Sequence, residues 1–259
     1  MGSMDDFFDL ESAGEHIYRL GVLWVVANIL WLLSLVVIIA LPFALIDILL
    51  GTSVIPIFMV MSLIGISIAD GIIMLMILFN TIELRRYTDD SRFHTGPLLC
   101  VISTVVIIIM VPVFLVWLIY GSKAHLLGLF LLMSMTGILG VVGLIGLILL
   151  VIALYELGQD NDISMLSIGA ILLIILPIIA GFFIGFGLRE LGDRLRICMD
   201  YTSIKELKEE FSSVRSPVDI KFLAKSRGLA PLALRMILTN LITNREISGY
   251  IKKYTYYPL

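Results

Sequence analysis

Two groups of residues carry chemistry by type and spacing. Asp70, in GISIADGIIML, sets a carboxylate inside an apolar run. Within a bilayer such a group is costly unless paired, hydrated or protonated. It reads either as an ion- or proton-handling group or as a neutral Asp hydrogen-bonded to a neighbouring helix, with Asn28, Asn80 and Ser103 as polar residues able to supply partners. The second group lies near the end of the chain. Arg235, Thr239, Asn240, Thr243 and Asn244 fall on one side of a helical period, and Leu234, Ile237, Leu238, Leu241 and Ile242 on the other. Lys221, Lys225, Arg227, Arg245, Lys252 and Lys253 add a basic rim. Side chains of this kind bond base edges, phosphates or a polar protein surface.

No pattern of enzyme chemistry accompanies them. The sequence holds no His-Glu-x-x-His, Gly-x-Gly-Asp or Gly-x-Ser-x-Gly, and His16, His94 and His125 lie in termini or loops without the pairing a metal site needs. Cys100 and Cys198 make neither a disulfide framework nor a Cys-based metal site. The expectation is a non-enzymatic protein with no catalytic residue, metal or cofactor.

The surrounding sequence is that of a membrane protein. Apolar residues make up 59% of 259 and charged residues only 15%, a balance that a folded water-soluble domain of this size does not keep in solution. A hydrocarbon core of about 30 Å takes roughly 20 residues at helical rise. By that measure five runs predict transmembrane helices: 21–50, 57–82, 98–120, 126–157 and 164–188. If 21–82 instead made three shorter helices turning near Pro42 and Gly65, there would be six. Residues 1–20 form an acidic N-terminal segment, 189–202 a connecting helix and 203–259 a small cytoplasmic α+β domain. The expected fold is therefore an all-α helical membrane bundle of about five spans with that domain appended. Gly140, Gly143 and Gly146, and Gly181 with Gly185, permit close helix approach, while Trp24, Trp31 and Trp117 suit interface anchors.

Charge is divided along the chain. From Arg189 onward 13 Lys/Arg stand against 8 Asp/Glu; before it 5 stand against 13. Enrichment in Lys/Arg places the C-terminus in the cytoplasm, and five spans then put the acidic N-terminus outside. The loop bearing Arg85, Arg86 and Arg92 conflicts with that arrangement. A faint internal echo relates GIIMLMILFNTIELRRYTDD to GLIGLILLVIALYELGQDND, making Glu83 and Glu156 equivalent.

In the tail, Ser216-Pro217 predicts a helix start, Gly228 a helix end and Pro231 the next start. ISGYIKKYTYY predicts two short strands. Helix, helix-turn-helix and hairpin make the order of a winged helix. REISGYIKKYTYY after an amphipathic helix resembles the winged-helix repeats that end proteasome-lid and initiation-factor subunits, which implies an interaction domain. GLIGLILLVIALYELGQDND resembles uncharacterised multi-pass membrane families of archaea and bacteria, which implies no activity. The partners expected are membrane lipid, a cytoplasmic protein ahead of DNA, and a second copy of the chain in a homo-oligomer. The expected function is a membrane-anchored adaptor or regulator; the other class is a small transporter or channel using Asp70.

Overall fold

The computed structural model describes the chain outside residues 1–4, 50–54, 121–124 and 197–200, and side chains at 10–33, 35–36, 65–66, 69, 71–106, 134, 137–177, 179–196 and 204–259. Six helices make the larger part: α1 (Asp5–Leu49), α2 (Ile55–Thr88), α3 (Arg92–Tyr120), α4 (His125–Asp160), α5 (Ser164–Ile175) and α6 (Pro177–Leu195). Each packs on the next, and α6 closes the ring against α1. Neither Pro42 nor Gly65 divides its helix, so 21–82 does not form three helices.

The run 164–188, expected as one span, is two helices. Pro177 clashes sterically with an α conformation at the residue before it, and Leu176 sits at φ −139°, ψ 71°. Pro177 then occupies the first turn of α6, where its missing N–H goes unneeded. Gly187 lies against Leu166 and Gly169 against Ile184, so α6 runs back along α5 as an antiparallel hairpin. The 12 residues of α5 rise only about 18 Å, well short of a bilayer core.

This overturns the expectation of about five spans. Among the described residues two helices are long and apolar enough to cross a membrane, Leu10–Leu33 and Gly137–Asp160. The described apolar part of α3, Arg92–Val106, is too short, and the described end of α2 is loaded with Glu83, Arg85 and Arg86. On α4, Ile138, Val141, Ile145, Ile148 and Ile152 face outward as an apolar stripe.

The fold-back also corrects the expected placement of the N-terminus opposite the tail. Gly14 of α1 meets Gly192 of α6, and Gly21 meets Gly185, in an antiparallel crossing so close that a Cβ at Gly21 would stand 2.5 Å from the Gly185 carbonyl oxygen. The start of α1 and the end of α6 therefore lie together. A second such crossing joins Gly96 of α3 to Gly146 of α4, followed by Ser103 against Gly143. Gly181 packs on Asn28. A Cβ at Gly140 would meet no atom of the described residues within 4 Å. Trp24 is buried in the bundle rather than at an interface, and Trp31 is exposed.

Beyond α6 lie α7 (Tyr201–Ser213), β1 (Val218–Asp219), α8 (Ile220–Ser226), α9 (Pro231–Thr243), β2 (Gly249–Lys252) and β3 (Thr255–Pro258). The strands form an antiparallel sheet in the order β1-β3-β2, with Val218 and Ile251 both opposite Tyr256. The third strand, β1, takes the place of the helix start expected at Ser216-Pro217. The helix begins instead at Ile220, because the Asp219 carboxylate accepts from the Lys221 and Phe222 N–H groups. Gly228, at φ 69°, follows the end of α8. Leu207, Phe211, Ile220, Ala224, Leu234, Leu238, Leu241 and Tyr256 form this unit's own core, whereas Ala230, Leu232 and Ala233 at the head of α9 belong to the core of the bundle.

Overpacking a close crossing costs typically about 1–3 kcal/mol. Gly21→Val is expected to lower the unfolding temperature of the purified chain clearly and Gly140→Ala to leave it unchanged, as read by thermal unfolding in detergent.

Candidate functional site

The candidate site is the joint between the bundle and the C-terminal unit. Two turns of the bundle build it, Thr88–Arg92 between α2 and α3 and Asp160–Ser164 between α4 and α5. Asp89 and Asp162 both adopt φ 54°, a left-handed conformation that Asp tolerates better than most residues. Each stands six residues after the glutamate of its segment, Glu83 or Glu156, so the internal echo in the sequence is matched in backbone geometry.

Asn161 is wholly buried at the centre of the joint. Its Oδ1 accepts from the Leu232 backbone N–H at 3.0 Å, capping a helix that has no side-chain cap of its own. Its Nδ2 donates to the Leu157 carbonyl at 2.9 Å, and its carbonyl accepts from Arg194 Nη1 at 3.1 Å. Farther along α9, Arg235 donates to the Thr88 carbonyl and faces Asp89 at 3.4 Å, with its side chain only 11% exposed. From α8, Lys221 pairs with Asp160 and Lys225 with Asp162. Tyr254 fills the space between, its ring 5.1 Å from Lys221 Nζ and 5.6 Å from the Arg235 guanidinium carbon. Burial and the negative charge of Asp160 push its phenol up to about 12, so it stays neutral at physiological pH.

Beside the joint, Arg92 bridges Asp90 and Glu156 with hydrogen bonds of 2.7 and 2.5 Å, tying α3 to α4. Burial pushes the Asp90 carboxyl up, but hydrogen bonds and charge from Arg92, with the charge of Arg235, outweigh it and hold the group below its ordinary value.

The structure revises the expected binding surface. Lys221, Lys225 and Arg235 are engaged with the bundle, and Arg227 pairs with Glu210 inside the unit. Thr239 and Thr243 donate back into their own helix, to the carbonyls of Arg235 and Thr239. Asn240 faces a groove between α9 and the ends of α1 and α2. Only Arg245, Lys252 and Lys253 of the expected set stand exposed without an ion pair among the described residues. The side chain of Asp70 lies outside the described residues, as do those of Asp47 and Trp117. Asn80 spends its amide on the Met76 carbonyl, and its own carbonyl accepts from His16. Asn28 is buried against Gly181.

Exposed ion pairs contribute about 0–1 kcal/mol, so the exposed Lys225–Asp162 pair adds little. A lost cap and buried groups left unpaired cost about 1–3 kcal/mol. Asn161→Ala is expected to raise hydrogen exchange of the α9 amides by roughly tenfold, and Lys225→Ala to leave it unchanged. The Asp90 contribution has a defined sign. Its depressed folded-state value makes the stabilisation complete above the ordinary 3.8 and lost as pH falls through the lower value. Asp90→Asn is therefore expected to destabilise the chain at neutral pH and to flatten the acid limb of its unfolding curve.

No protein-family model matches this chain, nor does any curated protein or solved structure.

Proposed function

We propose that the chain is a membrane-anchored, non-enzymatic adaptor or regulator, with α7 to β3 as a winged-helix-type head that recruits a cytoplasmic protein. The observation that carries this reading is the joint. The head has a core of its own yet is gripped by the bundle through Asn161, Arg235 and Lys221, so what it binds is held at one end of the membrane part.

A protein partner fits better than DNA. A winged helix reads DNA with the second helix of its pair in the major groove, which here is α9. Its strongest base-reading candidate, Arg235, is committed to Thr88 and Asp89, and Asn240 faces the bundle across the groove. The residues that remain outward suit protein contact: Phe222 on α8 is 77% exposed, and Tyr250 stacks on Tyr257 at 5.0 Å on the hairpin. Aromatic residues of this kind anchor protein interfaces.

The same reading places the head in the cytoplasm. With α1 starting and α6 ending together, Arg19, the Arg85–Arg92 turn and every basic residue of the tail belong to one end of the bundle, and Lys123 is the sole Lys or Arg elsewhere in the sequence. The conflict between the arginine loop and the basic tail disappears, and positive charge on the cytoplasmic side favours this orientation.

Photo-crosslinking from position 222 in native membranes is expected to trap a discrete protein that position 168 on α5 does not. The full chain is expected not to bind mixed duplex DNA at low salt. Tight, steeply salt-dependent binding would replace the protein reading with a DNA-binding one. Lys253→Cys is expected to react with an impermeant maleimide only in inside-out vesicles; labelling in right-side-out vesicles would reverse the orientation.

A further inference from the structure

The groove beside the joint has a chemistry distinct from protein contact, although Tyr250 of the hairpin is also on its lining. It encloses about 580 Å³ between α9 and β2 on one side and the ends of α1 and α2 on the other. Leu10, Met236, Ile237 and Ile251 give it apolar walls. Cavities of this size hold small ligands rather than folded partners.

Among the described residues, the charge of its lining is unbalanced toward the positive. Arg86, on the lining, makes no ion pair among the described residues, whereas Asp89, the acid on the same lining, is already matched to Arg235. Arg235 also lines the groove, and its buried Nε–H has no acceptor among the described residues. An apolar body with one negative group would match this described lining. The lining includes Leu10, near the start of α1 (Asp5–Leu49), so the groove lies at the end of the bundle where the head docks.

We propose that this groove binds a single-chain anionic amphiphile of the fatty-acid class, its carboxylate on Arg86 and its chain against Met236, Ile237 and Ile251. The proposal rests on the reading of the bundle as a membrane anchor and is independent of the partner the head recruits. Because the two walls belong to the bundle and to the head, a ligand filling the groove favours the docked arrangement by mass action. A fatty acid bound here would thus regulate how firmly the head is held.

The test uses the full chain in phosphatidylcholine nanodiscs, photolabelled with a diazirine-bearing palmitate and mapped by peptide mass spectrometry. Label is expected on α9 and β2, displaced by oleate and at least roughly tenfold less well by methyl oleate, which keeps the chain and loses the charge. Arg86→Gln is expected to weaken labelling about tenfold, with the neighbouring exposed Arg85→Gln as an unchanged control. Thr239→Trp, which fills the groove from an exposed helix position, is expected to abolish it. Label confined to the outer face of the bundle would overturn the proposal. So would equal competition by oleate and methyl oleate, or labelling indifferent to both Arg86→Gln and Thr239→Trp. None of these results depends on whether position 222 captures a protein, so the two readings fail separately.

Discussion

One buried carboxamide governs the joint. Asn161 has no contact with water, so each of its polar atoms must find a partner within the chain. It finds them on three elements: Leu232 at the head of α9, Leu157 in α4 and Arg194 in α6. The first turn of α9 then has a satisfied donor only while it stays docked, and Ala230, Leu232 and Ala233 complete the end of the bundle core. The ionic contacts around it, apart from Arg235, are exposed enough to add orientation more than energy.

What brings Asn161, Thr88 and the tail to one place is the fold-back at Leu176-Pro177. A straight helix through 164–188 would deliver the tail to the opposite end of the bundle, away from both turns. The break at Leu176-Pro177 turns the chain back, and glycines make the return compact, since α6 must pack on α5 and α1 at once. Gly169 and Gly187 serve one contact, Gly185 and Gly192 the other. The acidic turns and the basic tail, opposite in charge along the sequence, thus become neighbours in space.

The sequence made some of this legible and concealed the rest. Helices of the C-terminal unit were readable because their signals are local: Gly228 after α8, Pro231 opening α9, and the period that buries Leu234, Leu238 and Leu241. The hairpin was readable from its β-branched and aromatic run. Length and hydropathy misled at 164–188, because an apolar hairpin and an apolar span share a composition and differ at one proline. Part of the expected binding set is engaged elsewhere for a related reason. Period assigns a residue to the side of a helix away from its own domain, and it cannot tell water from a second domain, so Arg235 looked free when it was covered. Asn161 had a faint signal in the echo of Asp-rich turns, which related the two segments without revealing that both would grip the same helix.

The grips on α9 lie close together. Leu232 is held by Asn161 from the α4–α5 turn, and Arg235, three residues on, by Thr88 from the α2–α3 turn. Three residues rise about 4.5 Å along a helix axis, so this short stretch acts as a caliper set across two helical hairpins. Any displacement that spread those hairpins by even a few ångströms would exceed the reach of one grip. The attachment of the C-terminal unit is thereby tied to the spacing of the two hairpins.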